Sequence, residues 1–103
     1  DVAASFQEAV IDVLVEKTIN STLMLNQKQI VLAGGVAANS LLREKMKVEA
    51  AKHNMQFYCP SPKLCTDNAA MIASAGYYNL LQGKISPLSL NAVPYLPFSD
   101  EGI

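Results

Sequence analysis

Near the amino end the apolar positions fall at Phe6, Val10, Val13 and Leu14, spaced by four, three and one, with Asp12, Glu16 and Lys17 largely off the stripe. That spacing is helical. It predicts a first helix from Val2 to about Thr22 with this stripe inward and Asp1 as a candidate N-cap. The polar stretch Asn26-Gln27-Lys28-Gln29 ends the pattern. Ile30-Val31-Leu32-Ala33 follows, a short apolar run closed by Gly34-Gly35, as in a parallel strand buried on both faces. A second helix is expected from about Ala38 to His53. Its inward face is Leu42, Met46 and Ala50, with Arg43, Glu44, Lys47 and Glu49 turned to solvent. Gln56-Phe57-Tyr58-Cys59 reads as a second strand stopped by Pro60 and Pro62. A third helix starts near Asp67 and ends before Gly83; beyond it, Pro87, Pro94 and Pro97 mark an irregular tail over about 84–103.

The expected order is therefore helix–strand–helix–strand–helix, an α/β arrangement with a right-handed parallel crossover. Two strands make a meagre sheet, because isolated pairs are marginal without further strands or helical cover. One sheet edge is left unfinished, as in part of a larger α/β lobe, and an exposed edge invites association of the chain with itself. No internal repeat is visible.

Composition narrows the function. The chain has 103 residues, 50% hydrophobic and 17% charged, which suits one domain and excludes disorder. No apolar run is long enough to cross a bilayer, so no membrane partner is expected. The opening DVAASFQEAV has no basic start or apolar core, so no signal peptide is expected, and the lack of an initiator Met hints at a mature or excised piece. Eight Lys and Arg against nine Asp and Glu give a net charge of −1, without the basic surplus of a stand-alone nucleic-acid binder. Cys59 and Cys65 fit neither a disulfide scaffold nor a zinc knuckle and read as reduced thiols of a cytoplasmic protein.

Chemistry has two natural places. In Leu32-Ala33-Gly34-Gly35-Val36-Ala37-Ala38-Asn39 a strand runs through two glycines into a helix N-terminus, where free N–H groups suit phosphate or carboxylate. The glycines either make a tight turn or admit a ligand to the backbone. Asn39 either caps the helix or offers its amide to that ligand. This is neither a Walker loop nor a G-x-G-x-x-G fingerprint. In Cys65-Thr66-Asp67-Asn68-Ala69-Ala70-Met71-Ile72-Ala73, Asp67 is an N-cap or a ligand for metal or nucleotide, and Ala69, Ala70, Ala73 and Gly76 form a face suited to close helix packing. His53, four residues after Glu49, suits a surface role beside that carboxylate and the helix end. Tyr77-Tyr78 reads as packing. No Cys–His or Ser–His–Asp arrangement is present.

Together, Ile30-Val31-Leu32-Ala33-Gly34-Gly35-Val36-Ala37-Ala38-Asn39-Ser40-Leu41-Leu42-Arg43 and Cys65–Ala73 strongly resemble the tRNA N6-adenosine threonylcarbamoyltransferase family, long labelled O-sialoglycoprotein endopeptidase or glycoprotease. Ala3-Ala4-Ser5-Phe6-Gln7-Glu8-Ala9-Val10 resembles the helix ahead of the glycine motif there; the likeness weakens in Ser21–Gln29 and the tail. The resemblance implies a fragment, the C-terminal part of the second lobe of a longer, actin-like ASKHA (ribonuclease H-like) protein. It implies transfer of threonylcarbamoyl from threonylcarbamoyl-adenylate to N6 of adenosine 37 in tRNAs reading ANN codons. Gly34, Gly35 and Asn39 match residues at the adenylate, and Asp67 matches one ligand of a divalent metal, iron first, with zinc or magnesium as alternatives. The two histidine ligands belong to an H-x-x-x-H motif outside this chain, and His53 matches neither. No catalytic base is identifiable here. Other subunits of a tRNA-modification complex are implied as partners.

Three further readings compete. A non-catalytic ASKHA-type nucleotide-binding or scaffold module would need no metal carboxylate. A metalloprotease would need an H-E-x-x-H or a second ligand, and the chain has neither. A sugar- or acetate-kinase lobe of the same superfamily is the last.

Overall fold

The computed structural model describes residues 1–96. Its elements are α1 (Val2–Met24), β1 (Gln29–Val31), a 3₁₀ turn (Gly35–Ala38), α2 (Ser40–Lys52), β2 (Gln56–Tyr58), α3 (Pro62–Cys65) and α4 (Ala69–Leu81). The expected order is present, with the short α3 added. Proline removes the N–H of a residue whose N–H has no helical partner at a helix start, so Pro62 opens α3 instead of only stopping β2.

Two units divide the chain, Asp1–Met71 and the part from Ile72 onward. In the first, Asp1 caps α1, its Oδ1 accepting from the Ala3 N–H at 3.0 Å. Both long helices end alike. Asn26 and Asn54 take positive φ of 51° and 56°. The Gln27 N–H then reaches the Thr22 carbonyl at 2.9 Å, and the Met55 N–H reaches Ala50 at 2.8 Å. This closure needs a left-handed residue after the last turn, which asparagine tolerates. Each helix is thereby turned directly into a strand.

The strands pair in parallel, with Gln29 opposite Gln56, Ile30 opposite Phe57 and Val31 opposite Tyr58. The Leu32 N–H extends the ladder to the Tyr58 carbonyl at 2.9 Å. Beside this pair lies the core of Ile11, Val15, Ile19, Ile30, Leu42, Met46, Ala50 and Met55. The α2 face is the expected Leu42, Met46 and Ala50, with Ala50 fully buried. The α1 face is not. Phe6 is 72% exposed and Val10, Val13 and Leu14 are also exposed, while Ile11, Val15, Ile19 and Thr22 are buried. The stripe from Phe6 runs into Lys17 and Ser21, whereas the one from Ile11 stays apolar for three turns and reaches the core around Ile30. Lys45 holds α2 to α1 through Asp12 at 2.6 Å and Glu8 at 3.0 Å. The strand run also departs from expectation: Ile30 is buried, but Val31 is 70% exposed, so only one face is covered.

In the second unit, α4 ends at Gly83, φ 72°, whose geometry lets the Lys84 N–H reach the Asn79 carbonyl at 3.0 Å. No regular element follows before Leu96. Pro97 and the rest of the expected tail lie outside the described residues. No residue of α4 is buried, including Ala69, Ala70, Ala73 and Gly76, the face expected to pack closely. Among the described residues no helix is long and apolar enough to cross a membrane.

Candidate functional site

The first turn is shaped by Gly34. Its φ of 92° and ψ of 174° lie in a region essentially closed to residues with a Cβ. The chain then tightens into the 3₁₀ turn, with the Ala37 N–H on the Gly34 carbonyl and the Asn39 N–H on Val36, both at 3.0 Å. Ala37 is buried beneath, whereas a Cβ added at Gly34 or Gly35 would meet nothing within 4 Å. The backbone here is bare. Asn39 is half-buried and caps α2, its Oδ1 accepting from the Leu42 N–H at 3.0 Å, while its Nδ2 donates to Gln7 Oε1 at 3.1 Å.

The second turn follows α3. Cys65 is buried, and its thiol donates to the Ser61 carbonyl at 3.5 Å. Asp67 does not take the cap considered for it. Because α4 begins at Ala69, the cap falls to Asn68, whose Oδ1 accepts from the Met71 N–H at 2.8 Å and whose Nδ2 donates to the Thr66 carbonyl at 3.1 Å. Asp67 is exposed, and among the described residues its carboxylate has no hydrogen-bond or ion-pair partner.

Parallel pairing sends the chain out of β1 and β2 at the same end, and there the turns meet. Arg43 joins them. One guanidinium nitrogen, Nη1, lies 3.1 Å from the Ala37 carbonyl and 3.6 Å from Cys65 Sγ, and Nη2 donates to the Pro60 carbonyl. α3 packs on the 3₁₀ turn. The solvent-facing position expected for Arg43 is not found; the side chain is half-buried and turned inward. Arg43 precedes Met46 and Ala50 by three and seven residues, which sets it beside the buried face of α2 although its charge reads as surface. Burial pushes the Cys59 thiol above its ordinary value, while the Arg43 charge nearby pulls it down.

Away from these turns, Glu49 pairs with Lys52 rather than His53, which is exposed just past α2. A groove of about 720 Å³ runs along the seam of α1 and α2, with Val15, Ile19, Leu41 and Val48 among its lining residues. In the second unit Tyr77 and Tyr78 meet edge to face, centroids 5.5 Å apart, but both stay exposed instead of packing inward.

Comparison with known sequences gives these turns a context. The family model for tRNA N6-adenosine threonylcarbamoyltransferase (TsaD) matches residues 1–74, which include both. A protein named tRNA N6-adenosine threonylcarbamoyltransferase in Caldicellulosiruptor saccharolyticus is 59% identical over 96 residues, 93% of this chain and 29% of that protein. Its namesake in Desulfitobacterium hafniense is 54% identical over the same length, 93% of this chain and 28% of the relative. That of Clostridium novyi is 49% identical over 100 residues, 97% of this chain and 29% of the relative. The chain thus spans about three tenths of the length of these curated relatives. It belongs to the tRNA N6-adenosine threonylcarbamoyltransferase family.

Proposed function

We propose that this chain supplies the nucleotide- and metal-facing part of an enzyme that transfers threonylcarbamoyl from threonylcarbamoyl-adenylate to N6 of adenosine 37 in tRNAs reading ANN codons. The observation that carries the reading is the meeting of the Gly34–Asn39 turn and the turn before Asp67 at the carboxyl end of a parallel pair. Open α/β sheets take their ligands at that end. On this reading residues 1–103 form a single partial domain, the C-terminal part of the second lobe of an actin-like ASKHA parent. The uncovered strand face and the share of each relative that is matched support it.

The geometry supports a role for each residue. Gly34 and Gly35 leave room for the nucleotide against bare backbone. Asn39 keeps its Oδ1 on the helix cap and turns Nδ2 from the exposed Gln7 to the ligand, exchanging one solvent-exposed hydrogen bond for another. The Asp67 carboxylate, without a partner among the described residues, fits one position around a divalent cation, iron first, zinc or magnesium otherwise. One carboxylate is too few alone, and no group of three His, Cys, Asp or Glu gathers among the described residues. Two histidines from elsewhere in the parent complete the set. When bound, the cation supplies Lewis acidity toward the carbamoyl oxygen or the adenylate phosphate. In the transfer, the adenosine N6 attacks the carbamoyl carbon, the bond from that carbon to the phosphate oxygen breaks, AMP leaves with the electron pair, and N6 gives up one proton to solvent or to a base outside this chain. With a net charge of −1, this segment leaves most of the tRNA backbone to the rest of a cytoplasmic parent and its partner subunits.

The test incubates the intact parent with threonylcarbamoyl-adenylate and tRNA and analyses the nucleosides by mass spectrometry. The parent should form N6-threonylcarbamoyladenosine, and the 103-residue chain alone should form none. Product from the rigorously purified chain would refute the division of labour. No product from the parent would favour a non-catalytic nucleotide-binding module, a reading to which the double engagement of Asn39 lends weight.

A further inference from the structure

We propose that Arg43 is a positioning residue that sets the Gly34–Asn39 turn and the Asp67 turn at their working separation, a role that rests on the function proposed for those turns. The β1–β2 ladder stops with the Leu32 N–H on Tyr58, and no backbone hydrogen bond crosses from residues 33–39 to residues 59–68 among those described. Beyond the ladder the junction depends on α3 lying against the 3₁₀ turn and on one guanidinium.

That guanidinium is unusually committed. Arg43 forms no ion pair among the described residues; its donors go to two carbonyls and a sulfur, one in the first turn and two in the stretch from Pro60 to Cys65. Its own backbone N–H bonds the Asn39 carbonyl at 3.1 Å. One residue therefore touches Asn39 through its main chain, Ala37 through Nη1, the start of the second turn at Pro60 through Nη2, and Cys65, two residues ahead of Asp67. A planar fork serves diverging acceptors with two fixed nitrogens, which a lysine ammonium on a flexible stem does not do. The arrangement places a rigid spacer between a nucleotide turn and a carboxylate. Reacting groups held on separate loops are sensitive to that spacing, a displacement of about 1 Å being enough to lower rate about a hundredfold.

The test compares Arg43→Lys with wild type in the intact parent protein, with Arg43→Gln beside it. Hydrogen exchange read by mass spectrometry should rise about tenfold in peptides covering residues 33–39 and 60–68. Peptides of α1 and the melting temperature should stay at wild-type values. For threonylcarbamoyl transfer, kcat should fall about a hundredfold with KM for tRNA unchanged. Unchanged exchange at either turn overturns the proposal, as does loosening of both turns with wild-type kcat. A lowered melting temperature with faster exchange throughout makes Arg43 merely structural and overturns it too. If Arg43→Gln fails to fold, Arg43→Lys, which keeps the stem and charge, decides alone. Loosened turns in a parent whose wild type forms no product would uphold the spacer and remove the transferase reading.

Discussion

The two turns at the carboxyl end of the sheet solve different problems. Around Gly34–Asn39 the shape is held from within while the Gly34–Gly35 backbone stays bare. Gly34 carries a dihedral pair reserved for glycine, Ala37 is buried, and both ends of the Asn39 amide are bonded. Around Cys65–Asn68 the structural duties fall on the neighbours of the acid. Cys65 fills the interior, Asn68 caps α4, and Asp67 is left with an exposed carboxylate that has no partner among the described residues. On the function proposed here, the first turn works through its backbone, whose shape must be stabilised. On the same reading the second works through a side chain, which must be kept free of other bonds. The same contrast orders the expected effects of mutation.

The largest concerns Gly34. A Cβ there meets no atom, so the cost of Gly34→Ala is backbone strain alone, about 2 kcal/mol, read as a lower midpoint in urea unfolding of the intact protein. Gly35 has equally open space without a positive φ. Gly35→Ala should therefore hold stability within about 0.5 kcal/mol while its methyl stands where a nucleotide would approach. Isothermal titration with AMP should show weaker binding. Equal destabilisation by both alanines would mean that the strain is not confined to Gly34; unchanged AMP affinity in Gly35→Ala would remove the nucleotide from this turn.

The next effect separates the two jobs of Asn39. Loss of a helix cap costs about 1 kcal/mol, so Asn39→Ala should destabilise by that amount, and Asn68→Ala similarly at α4. Asn39→Asp keeps the capping oxygen and loses only the donor to Gln7. Its thermal midpoint should stay near wild type while AMP affinity drops. If Asn39→Asp binds AMP normally, the amide is a cap and nothing more.

These distinctions were unevenly legible in the sequence. The α2 face could be read because Arg43, Glu44, Lys47 and Glu49 leave Leu42, Met46 and Ala50 as the apolar stripe. The α1 face could not be read by spacing alone, because that helix is apolar on two sides and only packing against α2 and Ile30 selects Ile11, Val15 and Ile19. Parallel pairing followed from a helix between two short strands. The site was legible as two turns but not as a junction. Arg43 counts as a surface charge in any hydropathy pattern, and its partners are carbonyls and a thiol, which leave no mark in charge pairing. The choice of Asn68 over Asp67 as cap is a shift of one residue, within the usual error of reading a helix start.

The smallest effect on stability is expected at Asp67, and it is the sharpest test of the contrast. An exposed carboxylate with no partner among the described residues contributes little to the fold, so Asp67→Asn should change unfolding free energy by less than about 0.5 kcal/mol. A residue that caps or packs would not behave this way. The same substitution removes the anionic oxygen that suits a divalent cation, so the intact parent purified as Asp67→Asn should retain less metal by elemental analysis than wild type. Metal content equal to wild type, with stability also unchanged, would leave Asp67 without a role in either fold or coordination. A clear loss of stability would mean that this turn, like the first, holds its acid for structure, and the division between a shaped backbone and a free side chain would fail at its second member.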